Sequence, residues 1–256
     1  MSEEKIVTAA LIIIGNEILS GRIQDANLSY IATKLNDEAG IRLAEVRVVP
    51  DIEDEIVEAV NAMRTKHDYV FTTGGIGPTH DDITADSIAA AFGVGIGYHP
   101  DVYELLKNNF EGRGFEANEA RMRMARVPDG ATLIDNEISL APGFQIENVF
   151  VLAGVPSIAR SMFEGAKNRL RRGAVVLSRS IRVHCGEGTI AEPLAALQDE
   201  FPEIDMGSYP WHKDGKYGTS LVLRGTDPAV LDTAYDAVFA AAAEVGGDPV
   251  DEPSED

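Results

Sequence analysis

The cysteine count excludes both a disulfide framework and a multi-cysteine metal cluster, because Cys185 stands alone in 256 residues. As a small apolar residue it is expected to be buried rather than reactive. Basic residues are scarce beside acidic ones, 22 against 42, for a formal charge of -20. A surface of that sign repels a phosphate backbone, so no nucleic-acid partner is expected. The apolar run Val7–Ile14 falls well short of the roughly 20 residues that span a bilayer, so no membrane partner is expected either. The polar start, Met1 to Lys5, has no signal-peptide pattern, and the expected location is cytoplasmic. Repeats are missing. The biased stretch is 244–256, with six acids and no base, which reads as a solvated, disordered tail. What remains is 45% apolar and long enough for one large or two modest domains.

The first half alternates strand and helix. Val7–Ile14 is continuously apolar and rich in β-branched residues, as in a strand buried on both faces. A helix is expected from about Asp25, with Leu28, Ile31, Ala32 and Leu35 on its apolar stripe, ending at Gly40. Residues 41–49 read as a second strand. Asp51 is expected to cap the next helix, and 69–73 is the third strand. This alternation implies a parallel, doubly wound sheet, with ligands at the carboxyl ends of its strands. Further on, 101–110 and 118–126 have helical patterns, 136–143 is loop-like, and 146–152 reads as one strand leading into a helix at Ala153-Gly154-Val155-Pro156-Ser157. The order after Arg171 is strand, helix, strand, strand, helix, with Asp214-Gly215 as a hairpin signal. The expected layout is an α/β domain over 1–172, a small α+β domain over 173–245, and the acidic tail over 246–256.

Residues 72–84, Thr-Thr-Gly-Gly-Ile-Gly-Pro-Thr-His-Asp-Asp-Ile-Thr, carry the chemistry. They join a strand to a helix. Gly74, Gly75 and Gly77 let backbone approach a ligand, and N–H groups in such a turn suit phosphate. Asp81 and Asp82 would repel that phosphate unless a divalent cation bridged them, since hard cations take carboxylate and phosphate oxygens together. A turn whose Asp82 or Thr84 only caps the next helix accounts for the same residues.

Three further motifs, in order, are Gly15-Asn16-Glu17-Ile18-Leu19-Ser20-Gly21 with Asp25 and Asn27, Ala141-Pro142-Gly143-Phe144, and Gly154-Val155-Pro156-Ser157. Together with 72–84 they resemble the molybdopterin-binding-domain superfamily. Nearest within it are the N-terminal region of the competence/damage-inducible protein A (CinA) family and the molybdopterin-binding-like domain of eukaryotic FAD synthases. The resemblance extends into the second unit through Gly186-Glu187-Gly188-Thr189-Ile190-Ala191 and Tyr209-Pro210-Trp211. It implies a three-layer α/β/α molybdopterin-binding-like domain with a second, smaller α+β domain. It also implies a choice of activities: metal-dependent hydrolysis (a pyrophosphatase) of a nucleotide-diphosphate compound such as FAD or ADP-ribose, binding or adenylylation of molybdopterin, or non-catalytic binding of a pterin or flavin nucleotide. Relatives commonly associate, so a homo-oligomer is expected. Asp81 stands where the molybdopterin enzymes typically carry arginine, which favours the metal reading.

The expected catalytic residues are Asp82, Asp81 and Glu17, with Asp82 and Asp81 holding a divalent metal, Mg²⁺ by chemistry. The expected ligand-binding residues are Gly74, Gly75, Gly77, Thr73, Asn16, Asp25, Gly154 and Ser157. Asp25 serves equally as a helix cap. Arg121, Arg123 and Arg126 lie on a helical segment where 123 and 126 share a face and 121 diverges; a solvated face accounts for them, and the alternative is that one neutralises a diphosphate. Trp211, His184 and His212 read as packing or turn residues.

Overall fold

The computed structural model describes residues 6–213 and 215–252. It divides into two compact units, Met1–Ala174 and Val175–Asp256.

In the first unit β1 (Val7–Ile14) leads through a short helix α1 (Asn16–Leu19) to α2 (Asn27–Ala39), β2 (Ile41–Val49), α3 (Glu53–Lys66), β3 (Tyr69–Thr73) and α4 (Thr84–Phe92). Then follow β4 (Ile96–Tyr98), α5 (Pro100–Gly112), α6 (Glu119–Met122), β5 (Arg126–Pro128), β6 (Thr132–Ile134), β7 (Gly143–Ile146), β8 (Val149–Leu152) and α7 (Pro156–Ala166). The main sheet runs β2-β1-β3-β8-β7-β6. The first four strands are parallel, and β7 and β6 are antiparallel.

The alternation along β1 sets the layers. Val7, Ala9, Leu11 and Ile13 face a core with Ile31, Leu35, Phe163 and Ala166 of α2 and α7. Ala10, Ile12 and Ile14 face the opposite core with Ile56, Val60, Met63 and Ile88 of α3 and α4. A strand that is apolar at every position but Thr8 is therefore sandwiched between two helical layers. Phe71 stacks on Phe150 at 5.1 Å between centroids and meets Phe163 at 5.6 Å.

Three local expectations are corrected. The strand expected over 146–152 is a hairpin: Glu147 takes φ 48, and β7 returns as β8. Asn148, at the tip, is held because its amide donates to the carbonyls of Arg64 and His67. The helix expected over 118–126 breaks after Met122. Arg123–Ala125 forms one 3-10 turn, and Arg126–Pro128 pairs with β4. Asp51 does not cap α3; its carboxylate accepts from the backbone N–H of Asn16 at 2.8 Å.

The second unit runs β9 (Leu177–Val183), α8 (Glu187–Glu200), β10 (Asp205–Lys213), β11 (Lys216–Gly225), α9 (Pro228–Glu244) and β12 (Val250–Glu252). Its antiparallel sheet has the order β10-β11-β9-β12. Ile181, Val183, Leu221 and Leu223 pack against Ile190, Leu231 and Val238 of the two helices. Gly215, with φ 73, sits in the expected hairpin turn; Asp214 lies outside the described residues. Residues 250–252, expected within a disordered tail, pair instead with β9, and Glu252 binds Arg182 and Ser220. The carboxylate has basic and hydroxyl partners on the sheet, which charge counting along the tail does not reveal. Residues 253–256 lie outside the described residues.

Candidate functional site

The carboxyl ends of β1, β3 and β8 open into a cleft of about 490 Å³. β3 ends in Thr72 and Thr73, both buried, whose hydroxyls have no hydrogen-bond partner among the described residues. The chain then turns through Gly74 (φ 104) and Gly75 (φ 68). A Cβ on Gly74 would overlap the carbonyl of Ile14, and one on Gly75 would overlap the Thr84 hydroxyl. The loop thus needs glycine at both positions for backbone angle and for space. Thr84 closes it: its N–H donates to the Gly75 carbonyl and its hydroxyl to the Gly74 carbonyl, each at 2.9 Å.

Asp82 does not cap α4. Its Oδ2 accepts from the Thr79 N–H at 2.8 Å and the Thr79 hydroxyl at 2.5 Å. Thr84 cannot serve as cap either, since its hydroxyl is spent as a donor to Gly74. The local turn therefore fixes the Asp82 carboxylate against Gly77, in the wall of the cleft. Asp81 is exposed and is not part of that wall. The nearby Thr79 side chain, its own backbone N–H and the His80 ring hold its carboxyl below the usual carboxylate range.

A further part of the lining comes from α1, the loop after it and the first residue of α2. Glu17 folds back over Gly15 and lines the cleft. Asp25 also lines it, but its Oδ1 accepts from the N–H groups of Asn27 and Leu28 at 3.1 and 2.7 Å, so this carboxylate caps α2. Asn27 is a site residue that the sequence motif contained without a role. Its Nδ2 donates to the Gly154 carbonyl at 2.9 Å, tying α2 to the third loop. Only 4% exposed, it keeps a buried Oδ1 with no hydrogen-bond partner among the described residues. Gly154 approaches Gly74 so closely that a Cβ there would lie 3.2 Å from its Cα. Met162 completes the floor.

Of the residues singled out in the sequence, the cleft wall brings together Glu17, Asp25, Gly74, Gly75, Gly77, Asp82 and Gly154. Thr73 lies buried behind Gly74, Asn16 is exposed at the start of α1, and Ser157 is exposed at the second position of α7. The three arginines separate in role. Arg121 donates to the Glu116 carbonyl and sits over the rings of Phe110 and Phe115. Arg126 makes a two-pronged pair with Asp86 at 2.6 and 2.8 Å. Arg123 reaches the Thr79 carbonyl at 3.5 Å and lines a small extension of the cleft beside Gly75, Gly77 and Asp82. Among the described residues no three His, Cys, Asp or Glu side chains cluster as a complete metal cage. Mg²⁺ needs less than that from the protein, commonly one or two carboxylates with water and substrate phosphate filling the rest. Asp82 and Glu17 both line the cleft and are carboxylates of the type such a donor set uses; Asp81 lies outside the lining.

In the second unit the Cys185 thiol is half-buried and pushed up by desolvation. His184 meets Trp211 edge-on at 5.5 Å. Among the described residues no helix is long and apolar enough to cross a membrane.

The family model described as "Probable molybdopterin binding domain" matches residues 10–172, well over half of the chain. The chain belongs to this molybdopterin-binding-domain family. Residues 175–246 match a second model, "FAD synthase, middle domain", so the two matches divide the chain much as its two units do. A protein of Archaeoglobus fulgidus is 35% identical over 200 residues, covering 78% of this chain and 84% of its own. A "CinA-like protein" of Kosmotoga olearia is 36% identical over 216 residues, 81% of this chain and 52% of its own. The crystal structure titled "the protein CinA with unknown function from Thermoplasma acidophilum" superposes with a TM-score of 0.59 at 29% identity, over 64% of this chain and 98% of that one. The chain is therefore a member of the molybdopterin-binding family that is similar to CinA proteins, with a parallel-rich α/β domain and a smaller antiparallel α+β unit.

Proposed function

We propose that this protein is a metal-dependent hydrolase of a nucleotide-diphosphate compound such as FAD or ADP-ribose. The observation that carries this reading is the Thr79–Asp82 turn. It withdraws a carboxylate from helix capping and fixes it in the cleft wall beside the glycine loop. A carboxylate in that position opposes an anionic ligand unless a cation joins them. The cleft volume of about 490 Å³ suits a small ligand. The match of residues 175–246 to the FAD synthase middle domain favours a flavin nucleotide among the substrates.

In this reading Gly74, Gly75 and Gly77 bring backbone close to the diphosphate, and Arg123 offsets charge on its other side. Asp82 and Glu17 would hold Mg²⁺, which would supply polarisation of a phosphoryl oxygen and a lowered pKa for water. Water adds to one phosphorus, and the bridging P–O bond breaks. The two products are phosphate monoesters, so FAD gives FMN and AMP. The low Asp81 carboxyl stays charged and adds to the field that draws the cation.

The family match favours a second reading, binding or adenylylation of molybdopterin. Purified full-length protein is incubated with Mg²⁺ or Mn²⁺ and a panel of FAD, ADP-ribose and ATP plus a pterin. AMP released from FAD or ADP-ribose supports hydrolysis. Pyrophosphate released from ATP only with the pterin supports adenylyl transfer and contradicts the proposal. We further propose a cytoplasmic homo-oligomer.

A further inference from the structure

The main cleft does not end at Asp82. A narrow extension of about 20 Å³, lined by Gly75, Gly77, Asp82 and Arg123, adjoins a separate pocket of about 340 Å³. The two share Arg123 and Arg126, while Pro78 lines both the outer pocket and the main cleft. The main cleft and the outer pocket adjoin at Pro78, so a ligand that occupies both passes beside the glycine loop.

The outer pocket differs chemically from the loop. Tyr98, 48% exposed, ends β4 and is braced edge-on by Tyr103 at 5.4 Å between centroids. Glu119 and Arg123 share the pocket, so its charges nearly cancel, and Arg126 is already neutralised by Asp86. Such a pocket is a poor sink for a second anion. A flat exposed phenol beside a carboxylate suits a planar nitrogen heterocycle instead, with the ring stacked on Tyr98 and an amino N–H donated to Glu119.

We infer that the Tyr98–Glu119–Arg123 pocket is a purine-base subsite, so that the substrate carries an adenine on one side of its diphosphate and its second moiety in the main cleft. The inference rests on the diphosphate reading above. The main cleft's largely apolar wall, including Ile18, Ile23, Ile76 and Met162, accommodates that second moiety.

Two non-hydrolysable probes separate the claims: α,β-methylene-ADP, with base and diphosphate, and methylenediphosphonate, without the base. Each is titrated calorimetrically into full-length wild type, Tyr98→Ala and Tyr98→Phe with Mg²⁺. Melting temperature checks that the variants fold. The expected result is about tenfold weaker binding of α,β-methylene-ADP to Tyr98→Ala, near-wild-type binding to Tyr98→Phe, and unchanged binding of methylenediphosphonate. If both probes bind wild type and Tyr98→Ala equally, the base subsite is overturned while the diphosphate site stands. If neither binds wild type, both readings fall.

Discussion

At the residue scale, Asp25, Asp81 and Asp82 are alike in charge and divide by hydrogen bonding. Asp25 accepts two N–H groups at the start of α2. Asp25→Ala should lower stability by about 1 kcal/mol in urea unfolding, and Asp25→Asn should restore most of it, because asparagine caps nearly as well. Asp82 takes both the N–H and the hydroxyl of Thr79. Thr79→Ala removes the hydroxyl and leaves the N–H, so kcat should fall about tenfold, the equivalent of one hydrogen bond to a charged group. An unchanged kcat would mean that the hydroxyl does not position the carboxylate. The glycine loop and its aspartates are legible in the sequence because residue types and spacing specify them. Which aspartate faces the cleft is not legible, since it depends on which N–H each side chain finds within three residues. Asn27 shows the same limit: its contact with Gly154 spans 127 positions, and nothing local announces it.

At the scale of elements, α7 carries the Gly154 loop, and its seat is aromatic. Phe163 packs against Phe71 and edge-on against Tyr30, and it is 1% exposed. Phe163→Ala should cost about 3–5 kcal/mol through lost burial and a residual cavity, measured by chemical denaturation. A loss under 1 kcal/mol would show that this packing does not hold the helix. Strands β1 and β3 and helices α2 to α4 are legible because their apolar residues recur with the period of each element. The β7–β8 hairpin is not, because two polar residues, Glu147 and Asn148, are its only marks within an apolar run, and Asn148 owes its position to α3 and its end. The segment 118–126 has helical spacing, yet Arg126 pairs with Tyr98 of β4, and tertiary pairing overrides the pattern at that end.

At the scale of the whole molecule, half-buried ion pairs contribute to the acid response. Lys167 and Lys34 hold the Glu38 carboxyl near 2, and Lys66, His67 and Arg47 hold Glu45 near 2, against a usual 4.5. A carboxylate lowered in the folded state stabilises it above its unfolded pKa, and that stabilisation is lost as pH falls toward the folded value. Melting temperature should therefore drop between about pH 4.5 and 2, and Glu38→Gln should flatten the decline. A variant curve parallel to wild type would remove Glu38 from the account. Light scattering at micromolar concentration tests the proposed assembly, where a monomeric mass contradicts it.

The central claim is that Asp82 holds a catalytic cation rather than a helix end. The most direct measurement is Mg²⁺-dependent AMP release from FAD and ADP-ribose by wild type and Asp82→Asn, with melting temperature recorded on the same samples. The amide keeps an oxygen for the Thr79 N–H and loses the charge. The account predicts a drop in turnover of about a hundredfold or more with little change in melting temperature, because metal-activated water contributes several kcal/mol to barrier lowering. Full activity of Asp82→Asn at saturating Mg²⁺ would contradict it.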